Sequence, residues 1–163
     1  MDFEESVAAG VDEGFMRQAL KEAEKALSEN EVPVGCVIVY KGKMIGRGHN
    51  RTESLQDPTA HAEMLAVTAA AGHLGTWRLG GSTAYCTLEP CAMCAGALVL
   101  ARVDRLVFGA PDPKFGACGS IFDIVSDPRT NHRMALSRGI LRDECAAIIQ
   151  EFFQKKRGEA GER

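Results

Sequence analysis

The sequence lacks any apolar run near the roughly 20 residues that a membrane-spanning helix needs, so no membrane role is expected. The N-terminal Met1-Asp2-Phe3-Glu4-Glu5 is acidic and lacks the basic-then-apolar layout of a signal peptide. The cytoplasm is therefore the expected location. Six cysteines in 163 residues are too few and too unevenly placed for a disulfide scaffold. No excess of positive charge is present either. The net charge is −3, which taken alone argues against a nucleic-acid partner. Internal repeats, low-complexity tracts and linkers are also missing, which leaves one compact domain. Residues 12–157 are expected to form it, with 1–11 and 158–163 as flexible ends.

The charge is unevenly distributed. Residues 1–31 hold 3 basic and 9 acidic side chains, whereas residues 101–142 hold 7 basic and 4 acidic. Acidity is thus concentrated at one end, and an anionic ligand responds to the local field.

Hydrophobic patterning alternates between strand and helix periods. Asp12 reads as the cap of a helix with Phe15, Met16, Ala19, Leu20, Ala23 and Leu27 on one face. Residues 34–40 form a nearly continuous apolar run, expected of a strand buried on both faces. Lys41-Gly42-Lys43 turns the chain into a second strand over 44–50. A helix is predicted from about 60 to 71, a strand over 83–88, and a helix from Pro90 to about 101, with the proline in its first turn. Strands over 103–108 and 134–138 follow, separated by a Gly- and Pro-rich loop at 109–120. A last helix covers 143–157. This order predicts a three-layer α/β/α sandwich around a mixed five-stranded sheet.

Two segments carry the chemistry. The first is Asp57-Pro58-Thr59-Ala60-His61-Ala62-Glu63; the second is Leu88-Glu89-Pro90-Cys91-Ala92-Met93-Cys94. Cys91 and Cys94 are three apart and share a helix face. In the first turn, the free N–H groups and the helix dipole favour negative sulfur. His61 and Glu63 are two apart, so they reach one site only if it lies off the helix end. The expected picture is two helix N-termini pointing at one zinc ion. Catalytic zinc has three protein ligands and keeps the fourth position for water, whose pKa it lowers toward roughly 7. Glu63, unliganded, would shuttle the proton. The plainer alternative is a closed four-ligand structural site that recruits Cys86 or Cys118. Cys36, Cys86, Cys118 and Cys145 otherwise read as small hydrophobes, and His49 and His73 as structural residues. H-x-E followed by P-C-x-x-C is the known signature of zinc nucleobase deaminases.

The sequence resembles the bacterial tRNA-specific adenosine deaminases of the cytidine deaminase superfamily. The similarity runs from about residue 15 to 157. It rests on Glu31-Val32-Pro33-Val34-Gly35, Asn50, the two segments above, Val107-Phe108-Gly109-Ala110, Asp112, Lys114, residues 116–120, Asn131-His132 and Phe152-Phe153. The resemblance implies hydrolytic deamination of adenosine to inosine at the wobble position of a tRNA anticodon. Zinc-activated hydroxide would attack C6 of adenine, with Glu63 protonating the ring nitrogen and then the departing amine. One zinc per subunit is the only cofactor implied, and the partners are an anticodon stem-loop and a second copy of the chain. The target base must leave its stack to enter a pocket, which a flexible loop permits.

The same resemblance places Asn50, Val34, Ala62, Leu88 and Pro90 around the base. It places Asp112 and Lys114 against neighbouring nucleotides, Asn131 and His132 against the backbone of the anticodon loop, and Phe153 among the substrate contacts. Plainer readings exist for each: a turn residue for Asn50, a core residue for Val34, a solvated loop for Asp112 and Lys114. Of Phe152 and Phe153, one is expected in the core and one free to stack. Pro111 stands where some relatives carry a basic residue, which removes one phosphate contact. The other reading within the superfamily is a deaminase of a free nucleobase or nucleoside, of guanine or cytosine type. A zinc-stabilised RNA-binding module without catalysis is the third.

Overall fold

The computed structural model describes residues 2–161. Its elements, in chain order, are α1 (Phe3–Ser28), β1 (Gly35–Tyr40), β2 (Lys43–His49), α2 (Thr52–Leu55), α3 (Ala62–Leu74), β3 (Ser82–Leu88), α4 (Ala92–Leu100), β4 (Arg105–Ala110), β5 (Ala135–Arg138) and α5 (Arg142–Gly161). The sheet order is β2-β1-β3-β4-β5. β1 is antiparallel to both neighbours, and β3, β4 and β5 run parallel. The expected three layers and mixed sheet are present.

Period-2 alternation assigns the two faces. Val37 and Val39 of β1 join Met16, Ala19 and Leu20 of α1 and Cys145 of α5 in one apolar cluster. Cys36 and Ile38 point the other way, into a second cluster with Ala62, Ala66 and Ala70 of α3 and Ala95 and Leu98 of α4. Burying each such Val, Leu or Ile side chain contributes roughly 1.5–3 kcal/mol. The run at 34–40 is thus apolar throughout because both faces are covered.

β2 approaches α3 closely. A Cβ on Gly48 would lie 2.5 Å from the Ala62 carbonyl oxygen and 2.8 Å from the Ala66 nitrogen, and one on Gly46 would strike the next turn of the same helix. Two glycines therefore seat α3 directly on the sheet, and with it the start of the helix that follows His61.

The N-terminal helix departs from expectation. α1 begins at Phe3, where Asp2 accepts from the Glu5 backbone N–H and Glu5 reciprocates, a capping box. Residues 3–11 and 158–161, expected as loose ends, are helical; residues 1, 162 and 163 lie outside the described residues. Asp12 is not a cap. It is buried within α1, where its carboxylate takes two bonds from the Arg105 guanidinium at 2.8 and 2.7 Å and one from the Tyr85 hydroxyl at 2.9 Å. Burial pushes the Asp12 carboxyl up, but Arg105 and Tyr85 outweigh it and hold the group below its usual range. Pro90 also shifts by a position: Cys91 is the N-cap of α4, so the proline precedes the helix. The short α2 was not foreseen. Buried Glu31 builds it, accepting from the backbone N–H groups of Ser54 at 2.7 Å and Glu53 at 3.3 Å.

Candidate metal centre and active site

His61 and Cys91 occupy the same position on two helices. Each is an N-cap with extended backbone, and neither caps its helix through its side chain. Both are therefore free to point off the helix ends. The cap that α3 lacks comes from elsewhere: the Asn50 side-chain oxygen accepts from the Ala62 N–H at 2.9 Å. Cys94 follows one turn into α4.

The three donor atoms converge. His61 Nδ1 lies 3.6 Å from Cys91 Sγ and 3.5 Å from Cys94 Sγ. A tetrahedral zinc ion with typical Zn–S and Zn–N bonds puts N and S about 3.6 Å apart. The spacing and the soft N/S donor set both fit zinc. Among the described residues this trio is the group of His, Cys, Asp and Glu side chains able to hold a metal ion. Cys86 instead faces Cys36 at 3.4 Å across the strands, and Cys118 sits against the Pro90 carbonyl. The closed four-ligand alternative finds no support in this arrangement.

Charge at the site suits a cation. Cys91 is pulled down to about 3, first by the Cys94 thiol and then by His61, while Cys94 is pushed up by its partner sulfur and by burial. His61 is raised, chiefly by Cys91. Cys91 stands at the mouth of α4, where partial positive charge favours the thiolate form of its sulfur. Glu63 is buried beside them. Burial pushes its carboxyl up, and Cys94 and His61 oppose that shift.

A cavity of about 380 Å³ opens over the trio. Val32, Val34, Asn50, Thr52, His61, Glu63, Leu88, Glu89, Cys91, Asp112 and Phe115 line it. Of the residues expected to contact substrate, Val34, Asn50, Leu88 and Asp112 line this cavity. Ala62 and Pro90 are buried behind the wall, contributing backbone to Asn50 and Ala117 respectively. A second groove of about 670 Å³ shares Val32, Leu88, Asp112 and Phe115 with the first, and adds Lys114, Gln150, Phe153, Gln154 and Arg157. Phe152 is buried and Phe153 is 43% exposed, which separates the two rings as core and surface. The Asp112 side chain is partly occupied, accepting from the Lys114 and Phe115 backbone N–H groups at 3.0 and 3.2 Å.

Asn131 and His132 are not brought to this cavity. His132 Nε2 bonds the Val103 carbonyl at 2.7 Å, at the N-terminal end of β4, whereas the cavity lies beyond the C-terminal ends of β3 and β4. His49 is held between Glu22 and Glu29 at 3.3 and 3.0 Å. Val32, Thr52, Glu89 and Phe115 were missed. Val32 and Glu89 sat inside quoted motifs without a role, and the large apolar Phe115 in a Gly- and Pro-rich loop was the one available signal.

A family model of the cytidine and deoxycytidylate deaminase zinc-binding region matches residues 10–110. A tRNA-specific adenosine deaminase of Streptococcus pyogenes serotype M18 (strain MGAS8232) is 49% identical over 143 residues, covering 88% of this chain and 90% of that protein. The chain belongs to the tRNA-specific adenosine deaminase family. A solved structure from a study of A-to-I editing by tRNA:A34 deaminases superposes on it with a TM-score of 0.80 at 45% identity, over 83% of this chain and 98% of that one. A guanine deaminase from Nitrosomonas europaea is a more distant neighbour, with TM-score 0.72 and 26% identity over 86% and 83% of the two chains. Deaminases of this family bind zinc, and the His61, Cys91 and Cys94 trio is the candidate site for it here. No helix among the described residues is long and apolar enough to cross a membrane.

Proposed function

We propose that this tRNA adenosine deaminase family member converts adenosine to inosine at the wobble position of a tRNA anticodon, working in the cytoplasm as one deaminase unit over residues 12–157. The observation that carries this reading is the continuity of the two cavities. The inner one, over the metal trio, is of the size that encloses small ligands. The outer one presents Phe115 and Phe153 beside Lys114 and Arg157, aromatic and cationic groups suited to stacking and phosphate pairing. A free nucleobase would need only the inner cavity.

His61, Cys91 and Cys94 would hold zinc. When bound, zinc is a Lewis acid that makes hydroxide available from water near neutral pH. The protein's own residues do the rest. Val34 and Leu88 supply apolar walls for the purine. The Asn50 oxygen is already committed to the Ala62 N–H, so its amide N–H₂ is the group left to face the base. Glu63, buried and beside the trio, takes a proton from water and delivers it to the ring nitrogen, then passes a second to the departing amine. The net change replaces the C6 amino group by oxygen from water and releases ammonia. General acid–base assistance of this kind is worth on the order of 10²–10⁴-fold.

The active form is a homodimer. α4 has no charged residue, and its outward Leu100 is 70% exposed, which suits cover by a second copy. Light scattering should return twice the chain mass of 17.5 kDa.

The test is to incubate the pure zinc protein with an anticodon stem-loop carrying wobble adenosine and to read A-to-G conversion after reverse transcription. An RNA left intact by protein that deaminates free guanine or a cytosine compound would replace this reading with the small-molecule one.

A further inference from the structure

Glu89 lies between the end of β3 and the metal ligand Cys91, and it is buried. Its carboxylate accepts four hydrogen bonds. Asp112 N–H at 3.1 Å and Ser120 Oγ–H at 2.5 Å go to Oε1; Cys118 N–H at 3.0 Å and Ser120 N–H at 3.2 Å go to Oε2. An ionised carboxylate offers about four acceptor sites, so all are filled. Glu89 is thereby removed from proton transfer, although it borders the same cavity as Glu63. All four donors belong to the loop that leaves β4.

Backbone pairing also ties that loop to the start of α4. Ala117 N–H bonds the Pro90 carbonyl at 2.8 Å, and Cys91 and Gly116 form an isolated bridge. Gly116 is where the loop crosses the carboxylate. A Cβ there would collide with Glu89 Oε2 and lie 2.5 Å from the Asp112 carbonyl oxygen. Gly116 has no positive φ, so the lack of a side chain matters for space alone.

We propose that Glu89 is a positioning residue for RNA. It clamps the 112–120 loop to the N-terminal end of α4, so that Asp112, Lys114 and Phe115 stand at a fixed height over the metal trio. This rests on the RNA reading above, because only a substrate larger than the inner cavity spans both grooves. Glu89→Gln is the informative change. Glutamine is nearly isosteric, but its N–H₂ must face backbone N–H donors that cannot accept. Whichever way the amide turns, one end of the loop is released while Cys91 and Cys94 stay in place.

The experiment measures four things on Glu89→Gln and wild type: zinc per chain, amide hydrogen exchange, RNA binding by fluorescence anisotropy, and steady-state kinetics on the anticodon stem-loop. Zinc should remain at one per chain. Amides of Asp112, Cys118 and Ser120 should exchange faster. KM and the RNA Kd should rise on the order of tenfold with kcat within about threefold, as expected for losing one or two charge-assisted bonds. Gly116→Ala should act in the same direction, and the double variant should be far from additive. Ser120→Ala, which removes one donor without touching the backbone, should give a smaller KM increase and serves if Glu89→Gln folds poorly. A purely structural role would lower the active fraction, so kcat would fall with KM unchanged, and that result overturns the proposal. Wild-type KM and Kd in both Glu89→Gln and Ser120→Ala overturn it as well. Wild-type protein inactive on the stem-loop would instead overturn the RNA reading itself.

Discussion

Gly48→Ala tests the link between strand packing and metal binding. The added Cβ would stand 2.5 Å from the Ala62 carbonyl oxygen and 2.8 Å from the Ala66 nitrogen, distances below 3.0 Å that real Cβ atoms essentially never show. Both obstacles are backbone, so α3 must retreat as a body, by about half an ångström or more in so densely packed an interior. His61 is joined directly to Ala62 and moves with it. Cys91 and Cys94 ride on α4 and do not. Metal sites tolerate ligand displacements of roughly 0.2 Å, so the retreat exceeds the tolerance. The expected loss in zinc affinity is about 10–100-fold, the size seen when ligand orientation is disturbed from outside the coordination sphere. Overpacking should also cost about 1–3 kcal/mol of stability. Competition against a chromophoric chelator measures the first and thermal melting the second. Gly14→Ala is the control: it lies on the exposed side of α1 with nothing within 4 Å of the new Cβ, and should stabilise by about 0.5–1 kcal/mol. Gly48→Ala with wild-type zinc affinity would refute the argument that β2 sets the position of His61.

Three other expectations follow from the site and the core. Glu63→Ala should keep zinc and RNA binding and lose about 10²–10⁴-fold in turnover, measured by single-turnover inosine formation; unchanged deamination would remove Glu63 from the mechanism. Cys91→Ala should lose zinc and activity together, and full metal occupancy by atomic absorption would contradict the ligand set. Asp12→Ala should cost about 2–3 kcal/mol, below the range for a fully buried pair because the Arg105 side chain remains 33% exposed. The Asp12 carboxyl is depressed in the folded state. Its contribution is therefore complete above the unfolded value near 4 and disappears as pH falls through the lower folded value. Urea melts from pH 7 to pH 3 should show a flatter acid limb for Asp12→Ala than for wild type.

The metal ligands were legible because their chemistry is local. H-x-E and P-C-x-x-C each fix residues within one turn of a helix end, and spacing alone states which atoms can converge. The strands were legible for a similar reason, since continuous or alternating apolar runs report directly on burial. Asp12 was misread because a carboxylate ahead of an apolar stripe looks like a cap. Its partner Arg105 is distant in sequence, and nothing local announces a buried ion pair. Glu31 and Glu89 were hidden in the same way: their donors are backbone N–H groups, which carry no sequence signal. Asn50 was singled out for the base, while its bond to the Ala62 N–H depends on where β2 ends relative to α3. Asn131 and His132 form a segment of the resemblance, yet the chain carries His132 to the other end of β4.

The strand order has a consequence for how the protein matures. β3 lies in the middle of the sheet, paired with β1 on one side and β4 on the other, while His61 precedes it and Cys91 follows it. The donor trio therefore sits at the starts of two helices that are joined through the central strand. Its geometry depends on β3 being seated between β1 and β4. Because an unfolded chain holds no preformed site, metal affinity is coupled to that seating. A chain with β3 misplaced does not bring His61 to Cys91 and Cys94, so loss of bound zinc reports a misassembled sheet as well as a lost ligand.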